Sequence, residues 1–438
     1  MNIIVNATTQ KAKHKPSLLT IERLCALYVV LWIFVPPIQI GTIYRLLAII
    51  CAFIWLFCVS LQNKDIFSDL KRYLSFAIPY IILLFFARMF TYSLRGAITP
   101  MQQTIIIIVC GVMATYYMRH DKDFVRVLLT VSMIAIAFFC VTTIQGLIVD
   151  PYASRIANSE WLNGRFEGNE NVGLYGYIYM CVLLAPMLLY LLINRIKVNR
   201  LFNAIVVVDF ILISAMSFLS GYMIAIFCYL IGCGLILAFN KRNAVYIFLF
   251  VTAIICLLLF YQQILSAIFD LLLDIFGKNI AYYEKICNIR DLFLNGDVTG
   301  ITVKERWSDY TGSIRDIFRY PIFGSYLFGS SGAGGHSSVL DAIGKSGWLL
   351  SYLYFFILWK YPFEIYQAKF KNATLRTIIF VVILFGIFDP YTQEICIPLY
   401  LFFPYILYLA DQQIAQCGDS SGPDKKMRTV LRMNHSKY

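Results

Sequence analysis

VGLYGYIYMCVLLAPMLLYLLI, residues 172–193, runs for 22 residues without a charge. A bilayer core is about 30 Å thick and takes roughly 17–25 apolar residues of helix to cross, so this stretch reads as one membrane span. The apolar residues are continuous and do not alternate with polar ones, which excludes a barrel strand. Behind the run come Arg195, Lys197 and Arg200; ahead of it lies a polar segment of mixed charge, 150–171. Lysine and arginine gather on the cytoplasmic side of spans, so the chain enters this one from outside and leaves it inside.

Similar runs recur in both directions. Toward the N-terminus they lie at about 20–36, 42–61, 73–90 and 100–118, with one more ending near Val149. Toward the C-terminus they lie at about 201–219, 220–239, 243–262 and 346–359, with two more before residue 410. Lys11, Lys13 and Lys15 precede the first run, and basic connectors recur at Lys64–Arg72, Arg119–Arg126, Lys241–Arg242 and Lys360–Arg376. Every second connector is basic, which is the positive-inside pattern. The expectation is an all-α polytopic membrane protein of about twelve transmembrane helices with both termini cytoplasmic. Residues 1–262 form spans one to nine with the outer loop 150–171. Residues 263–345 form a large, partly helical periplasmic loop, 346–410 the last three spans, and 411–438 a basic cytoplasmic tail. The N-terminal MNIIVNATTQKAKHKP is polar and basic, so the first run is expected to stay as an uncleaved span.

Composition agrees. Of 438 residues, 60% are hydrophobic and 14% charged, more apolar surface than a soluble fold can hide. The net charge of +12 sits mainly between apolar runs, so it signals topology and not nucleic acid. The 12 cysteines fall mostly inside apolar runs and include no CxxC pair, which gives no disulfide framework and no metal site. No internal repeat is visible, which speaks against an inverted-repeat transporter.

The chemistry is expected in the long outer loop. Residues 263–280 are apolar with Asp270 and Asp274 one helical turn apart, the pattern of a helix lying in the interface or packed on the bundle. Thr302 and Glu305 make a capping box for the next helix. Trp307, Tyr310, Ile314 and Phe318 recur at helical spacing and are expected to form its buried face. Arg306 sits in the first turn, against the helix dipole, where a cation calls for an anionic partner. Pro321 and Gly324 stop the helix. A glycine-rich stretch, Ser330–Gly335, then leads to His336, beside a helix start marked by a second box, Ser338 to Asp341. A helix N-terminus is a ready anion site, and a histidine there can exchange protons near neutral pH. A merely structural histidine fits the same pattern.

Five arginines fall on the outer side where the charge rule expects few: Arg45, Arg88, Arg95, Arg155 and Arg165. The guanidinium fork suits phosphate oxygens. These residues are expected to surround a lateral cavity for a lipid-linked phosphate; snorkelling anchors are the plainer alternative. Asp209, in mid-span, should face the bundle interior.

Several motifs stand in a telling order. Asn163-Gly-Arg165-Phe-Glu167-Gly168-Asn169-Glu-Asn171 opens the quoted span. Arg306-Trp307 is followed by Tyr320-Pro321-Ile-Phe-Gly324, then His336-Ser-Ser-Val-Leu-Asp341, Gly344 and Gly347-Trp348. Together they resemble the bacterial O-antigen polymerase family and, more weakly, the O-antigen ligases. The resemblance implies a metal-independent, cofactor-free, inverting glycosyltransferase of the GT-C type in the inner membrane. Its substrate would be an undecaprenyl-pyrophosphate-linked oligosaccharide at the periplasmic face, with a chain-length regulator as a partner. It implies that Arg165 and Arg306 hold the donor pyrophosphate and that His336 acts as base or orients the acceptor. Asp341 would orient the imidazole or bind sugar, and Glu167 and Asn169 would contact sugar. Where many relatives carry Ser-Arg, this chain has Ser220-Gly221, and Arg155 or Arg88 would substitute. The alternatives are a ligase transferring glycan to lipid A–core and, from another class, a flippase of lipid-linked oligosaccharide.

Overall fold

Backbone that crosses hydrocarbon must satisfy its own hydrogen bonds, and every regular element among the described residues is helical. The structure is a computed structural model; it describes residues 16–63, 66–89, 94–163, 171–196, 198–240, 261–276, 283, 286–287, 290, 301–328, 334–368 and 373–419. The first half comprises α1 (Pro16–Phe34), α2 (Pro36–Ile40), α3 (Thr42–Gln62), α4 (Ile66–Met89), α5 (Leu94–His120), α6 (Lys122–Val149), α7 (Ala153–Asn163) and α8 (Tyr175–Ile193). The second comprises α9 (Arg200–Leu219), α10 (Met223–Asn240), α11 (Tyr261–Phe276), α12 (Ile301–Arg319), α13 (Ser338–Phe355), α14 (Tyr361–Ile365), α15 (Ala373–Phe388) and α16 (Phe403–Asp419). Single π-helical turns, Phe356–Lys360 and Ile397–Phe402, lead into α14 and α16.

Among the described residues seven helices are long and apolar enough to cross a membrane: Thr42–Gln62, Leu70–Met89, Met101–His120, Lys122–Val149, Tyr175–Ile193, Arg200–Leu219 and Gln393–Ala415. Two shorter apolar helices, Ile224–Phe239 and Thr374–Phe388, join them. The described residues thus form an all-helical, membrane-embedded bundle. The expected first and tenth spans are helical as α1 and the far part of α13. The expected ninth, 243–262, lies almost wholly outside the described residues. The last helix runs to Asp419, into the stretch expected as tail.

The run quoted first is the axis of the bundle. Residues Gly176 through Leu188 of α8 are all buried, as a helix apolar all round should be. Outer helices show the opposite pattern: α3 leaves Phe53 69% and Phe57 64% exposed, surface that faces lipid. Stacked rings tie α4 to the α13–α14 region, with Tyr73 on Tyr361 at 4.0 Å and Phe76 on Phe356 at 3.6 Å. Asp209 is fully buried, as expected, and neither carboxylate oxygen has a hydrogen-bond partner among the described residues.

Two local expectations are corrected. Trp307, Ile314 and Phe318 are not the buried face of α12: they are 57%, 43% and 81% exposed, and of the four only Tyr310 turns inward. The cap of α13 is Ser337, whose hydroxyl accepts from Leu340 N at 3.0 Å, one residue before the expected Ser338. Ser338 instead accepts from Tyr391 N, and Asp341 accepts from Ser313, so neither side chain is free for a box. The Thr302–Glu305 box falls on side chains outside the described residues.

The α12–α13 junction explains the glycines around it. At Gly344 a Cβ would stand 2.9 Å from the Ser313 carbonyl oxygen, so glycine lets α13 close on α12. Gly324 (φ +72°) and Gly347 (φ +71°) lie with their backbones in contact. Gly347 interrupts α13, freeing Trp348 N to donate to Pro321 O at 2.8 Å.

Candidate active site

The inward face of α12 presents Arg306, Asp309, Tyr310 and Ser313, spaced three and four apart so that they share one side of the helix. Opposite them is Asp389, in the connection that follows α15. Its carboxylate is fully buried and accepts from Tyr179 Oη at 2.8 Å and from Tyr175 Oη. Both tyrosines belong to the first turns of α8, their rings meeting at a 54° tilt with centroids 4.5 Å apart. Arg306 Nη1 stands 3.8 Å from Asp389 Oδ2, a loose ion pair, and has no hydrogen-bond partner among the described residues. Tyr310 Oη donates to Phe388 O at 2.7 Å and clamps α12 over the end of α15.

Burial pushes the Asp389 carboxyl above the usual carboxylate range, while Arg306 and the two tyrosine hydrogen bonds oppose that rise. Burial pulls Arg306 down, but Asp389 and the surrounding tyrosines outweigh it, so the guanidinium stands above its ordinary value. Arg306 is therefore a fixed cation in a partly dry setting.

The N-terminus of α13 is stitched to the same place. Ser337 Oγ donates to Gly386 O at 3.1 Å, and Ser338 N donates to Asp389 O at 3.3 Å. This holds His336 against α12, with Nε2 at 3.2 Å from Asp309 Oδ2. One turn on, Asp341 Oδ1 accepts from Ser313 Oγ at 2.5 Å, and Lys345 Nζ stands 3.6 Å from Asp341 Oδ2. Asp341 thus helps to lock α13 onto α12.

Arg155 reaches the group from α7. It donates to Gly221 O at 2.8 Å and lies over the Tyr222 ring at 5.2 Å. Tyr222 in turn meets Tyr175 edge-on at 5.6 Å. The chain Arg155–Tyr222–Tyr175–Asp389–Arg306 is continuous.

Of the residues expected from sequence, the structure brings together His336, Arg306, Arg155 and Asp341. Arg88 lies elsewhere, donating to Tyr326 Oη at 3.0 Å. Arg45 is exposed near the start of α3, and Arg95 belongs to α5 with its side chain outside the described set. Arg165, Glu167 and Asn169 lie outside the described residues. Sequence reasoning missed Asp389, Tyr175, Tyr179, Tyr222 and Asp309. The one signal was Asp389-Pro390 directly after an apolar run.

Chemically the arrangement offers an imidazole paired with a carboxylate and two guanidinium groups at one end of the bundle, while the phenol hydroxyls of Tyr175, Tyr179 and Tyr310 are committed to Asp389 and Phe388 O. That set can take a proton from a hydroxyl and hold an anion beside it. No family model, no curated protein and no solved structure matches this chain.

Proposed function

We propose that the chain is a polysaccharide repeat-unit polymerase of the inner membrane. It would transfer a growing glycan from undecaprenyl pyrophosphate to a sugar hydroxyl of a new lipid-linked repeat unit. In this reading about twelve spans place both termini in the cytoplasm and the candidate site at the periplasmic face. The single observation that supports it most is the gathering of Arg306, the His336–Asp309 pair and, through Tyr222 and Tyr175, Arg155 around Asp389 at one end of the bundle. Of the motifs that resemble O-antigen polymerases, Arg306-Trp307, Tyr320–Gly324 and His336–Trp348 fall on α12, α13 and the turn between them.

Each residue then has a part. With His336 Nε2–H given to Asp309, Nδ1 is the ring nitrogen left to accept the proton of the acceptor hydroxyl. The resulting oxygen attacks the anomeric carbon and the bond to the pyrophosphate breaks. Charge then grows on the leaving pyrophosphate, where the guanidinium of Arg306 stabilises it. Arg155 stands second in line, and Arg165 joins them on the resemblance.

The test is a lipopolysaccharide gel from a strain lacking this chain, complemented with wild type, His336→Ala or Arg306→Ala. Loss of a positioned base costs roughly a hundredfold to ten-thousandfold in rate. Both variants should insert normally yet leave core with a single repeat unit and no ladder. A wild-type ladder from either variant would remove that residue from the chemistry. Bare core in the deletion strain would replace polymerase by ligase or flippase.

A further inference from the structure

A second site lies away from the candidate active site. A lateral groove of about 700 Å³ runs down the side of the bundle between α1, α3, α4 and α5. Its walls are apolar: Ala48, Ala52 and Phe53 from α3 face Ile106 and Val109 from α5. Along α3 it extends from Arg45 to Leu56, which at 1.5 Å per residue is about 16 Å. Phe67, Leu70 and Leu74, from the first turns of α4, line its inner end.

The other end is polar. Arg45, Gln39, Gln102, Gln103 and Gln393 form the rim. Gln39 Nε2 donates to Ile33 O at 3.1 Å and to Glu394, which leaves its Oε1 with no partner among the described residues. Trp32 Nε1, in the same wall, also has none. Buried polar groups are as a rule hydrogen-bonded. Gln393 and Glu394 belong to the connection that begins with Asp389, so the rim is at the same end of the bundle as the candidate site.

We infer that this groove binds one acyl chain of an anionic glycerophospholipid, with the phosphate on Arg45 and the glycerol head against the glutamine rim. Two features select this occupant. The walls are apolar, as a hydrocarbon chain requires. Among the described residues the rim carries one arginine and no acid facing the groove, which suits a phosphate. Through Gln39 and Glu394, the lipid would brace the segment that holds Asp389.

The experiment uses the purified full chain, washed in detergent and sprayed intact for native mass spectrometry, with phosphatidylglycerol and phosphatidylcholine as probes. Wild type should retain one phosphatidylglycerol in preference to phosphatidylcholine. Arg45→Gln should weaken phosphatidylglycerol about tenfold, the loss of one charge-assisted contact, and leave phosphatidylcholine unchanged. Ala52→Phe, which fills the groove, should weaken both. Should that variant fail to fold, Arg45→Gln at its exposed position decides alone. Equal retention of the two lipids by wild type, or no effect of Arg45→Gln, overturns the proposal. So does displacement of phosphatidylglycerol by undecaprenyl phosphate, because the groove would then belong to the sugar carrier. None of these outcomes depends on glycan transfer, so the proposal stands or falls apart from the polymerase reading.

Discussion

On the proposed function, Asp389 occupies the place that a phosphate would want. It neutralises Arg306 from 3.8 Å while two tyrosines hold it by their hydroxyls. An incoming pyrophosphate must therefore compete with it. Asp389→Asn keeps an acceptor for the tyrosines and removes the charge. It should bind inorganic pyrophosphate about tenfold more tightly, roughly 1.4 kcal/mol, measured by calorimetry on the purified protein. Its melting temperature should fall, because a cation loses its partner. That loss is about 3–5 kcal/mol in a fully buried pair, and less here because Arg306 is 30% exposed. Unchanged pyrophosphate binding would mean that Arg306 holds no anion. Half of this site was legible beforehand. His336 and Arg306 stand out because a glycine-rich loop and a first-turn cation are unusual local chemistry. Asp389 and Tyr175 were not, since 214 residues separate them and tyrosines near span ends ordinarily serve as interface anchors.

Helix α12 shows why periodicity can mislead in a membrane protein. Its 3.6-residue repeat correctly gave two faces, but not which one turns inward. In water the apolar face must be inside; beside a bilayer both sides of a helix can be dry, and the polar face can carry the site. Hence Trp307 and Phe318 face out, whereas Arg306, Asp309 and Tyr310 line the site. What fixes α12 is its junction with α13, and the glycines there are its weak point. Gly347 has φ +71° and ψ 172°, a conformation essentially confined to glycine. Gly347→Ala should cost about 1–3 kcal/mol from backbone strain alone, and its Cβ would also strike the Ile322 carbonyl. The expected result is a lower melting temperature and lost activity with normal membrane insertion. Gly344→Ala should do less, since φ is ordinary there and only the Ser313 carbonyl has to move. Equal melting of Gly347→Ala and wild type would show that the junction does not hold the two helices together.

Across the whole molecule the two ends of the bundle differ. One end carries the candidate site. The other carries paired basic residues: Arg23 with Asp121 at 2.5 Å and Arg72 with Glu364 at 2.8 Å. Helix α10 starts at the site end, where Arg155 meets Gly221, and finishes at the other, where Thr374 donates to Phe239 O at 3.2 Å. Helix α15 runs back the opposite way, from Thr374 to Asp389. The break between α9 and α10 falls at Ser220–Gly221, where sequence placed it, because Gly221 (φ 64°) supplies the sharp turn. Asn240 is therefore at the basic end, whereas α12 is at the site end, clamped to Phe388. The proposed topology puts one crossing between them, where hydropathy put the ninth span, in a stretch that lies outside the described residues. Alkaline phosphatase, active only outside the cytoplasm, tests this when fused after chosen residues. Fusions after Asn240 and after Asp419 should be inactive, and a fusion after Phe328 active. Equal activity after Asn240 and Phe328 would mean that no crossing separates them. The basic connectors would then no longer mark one side of the membrane, and the site could not be assigned to the periplasmic face.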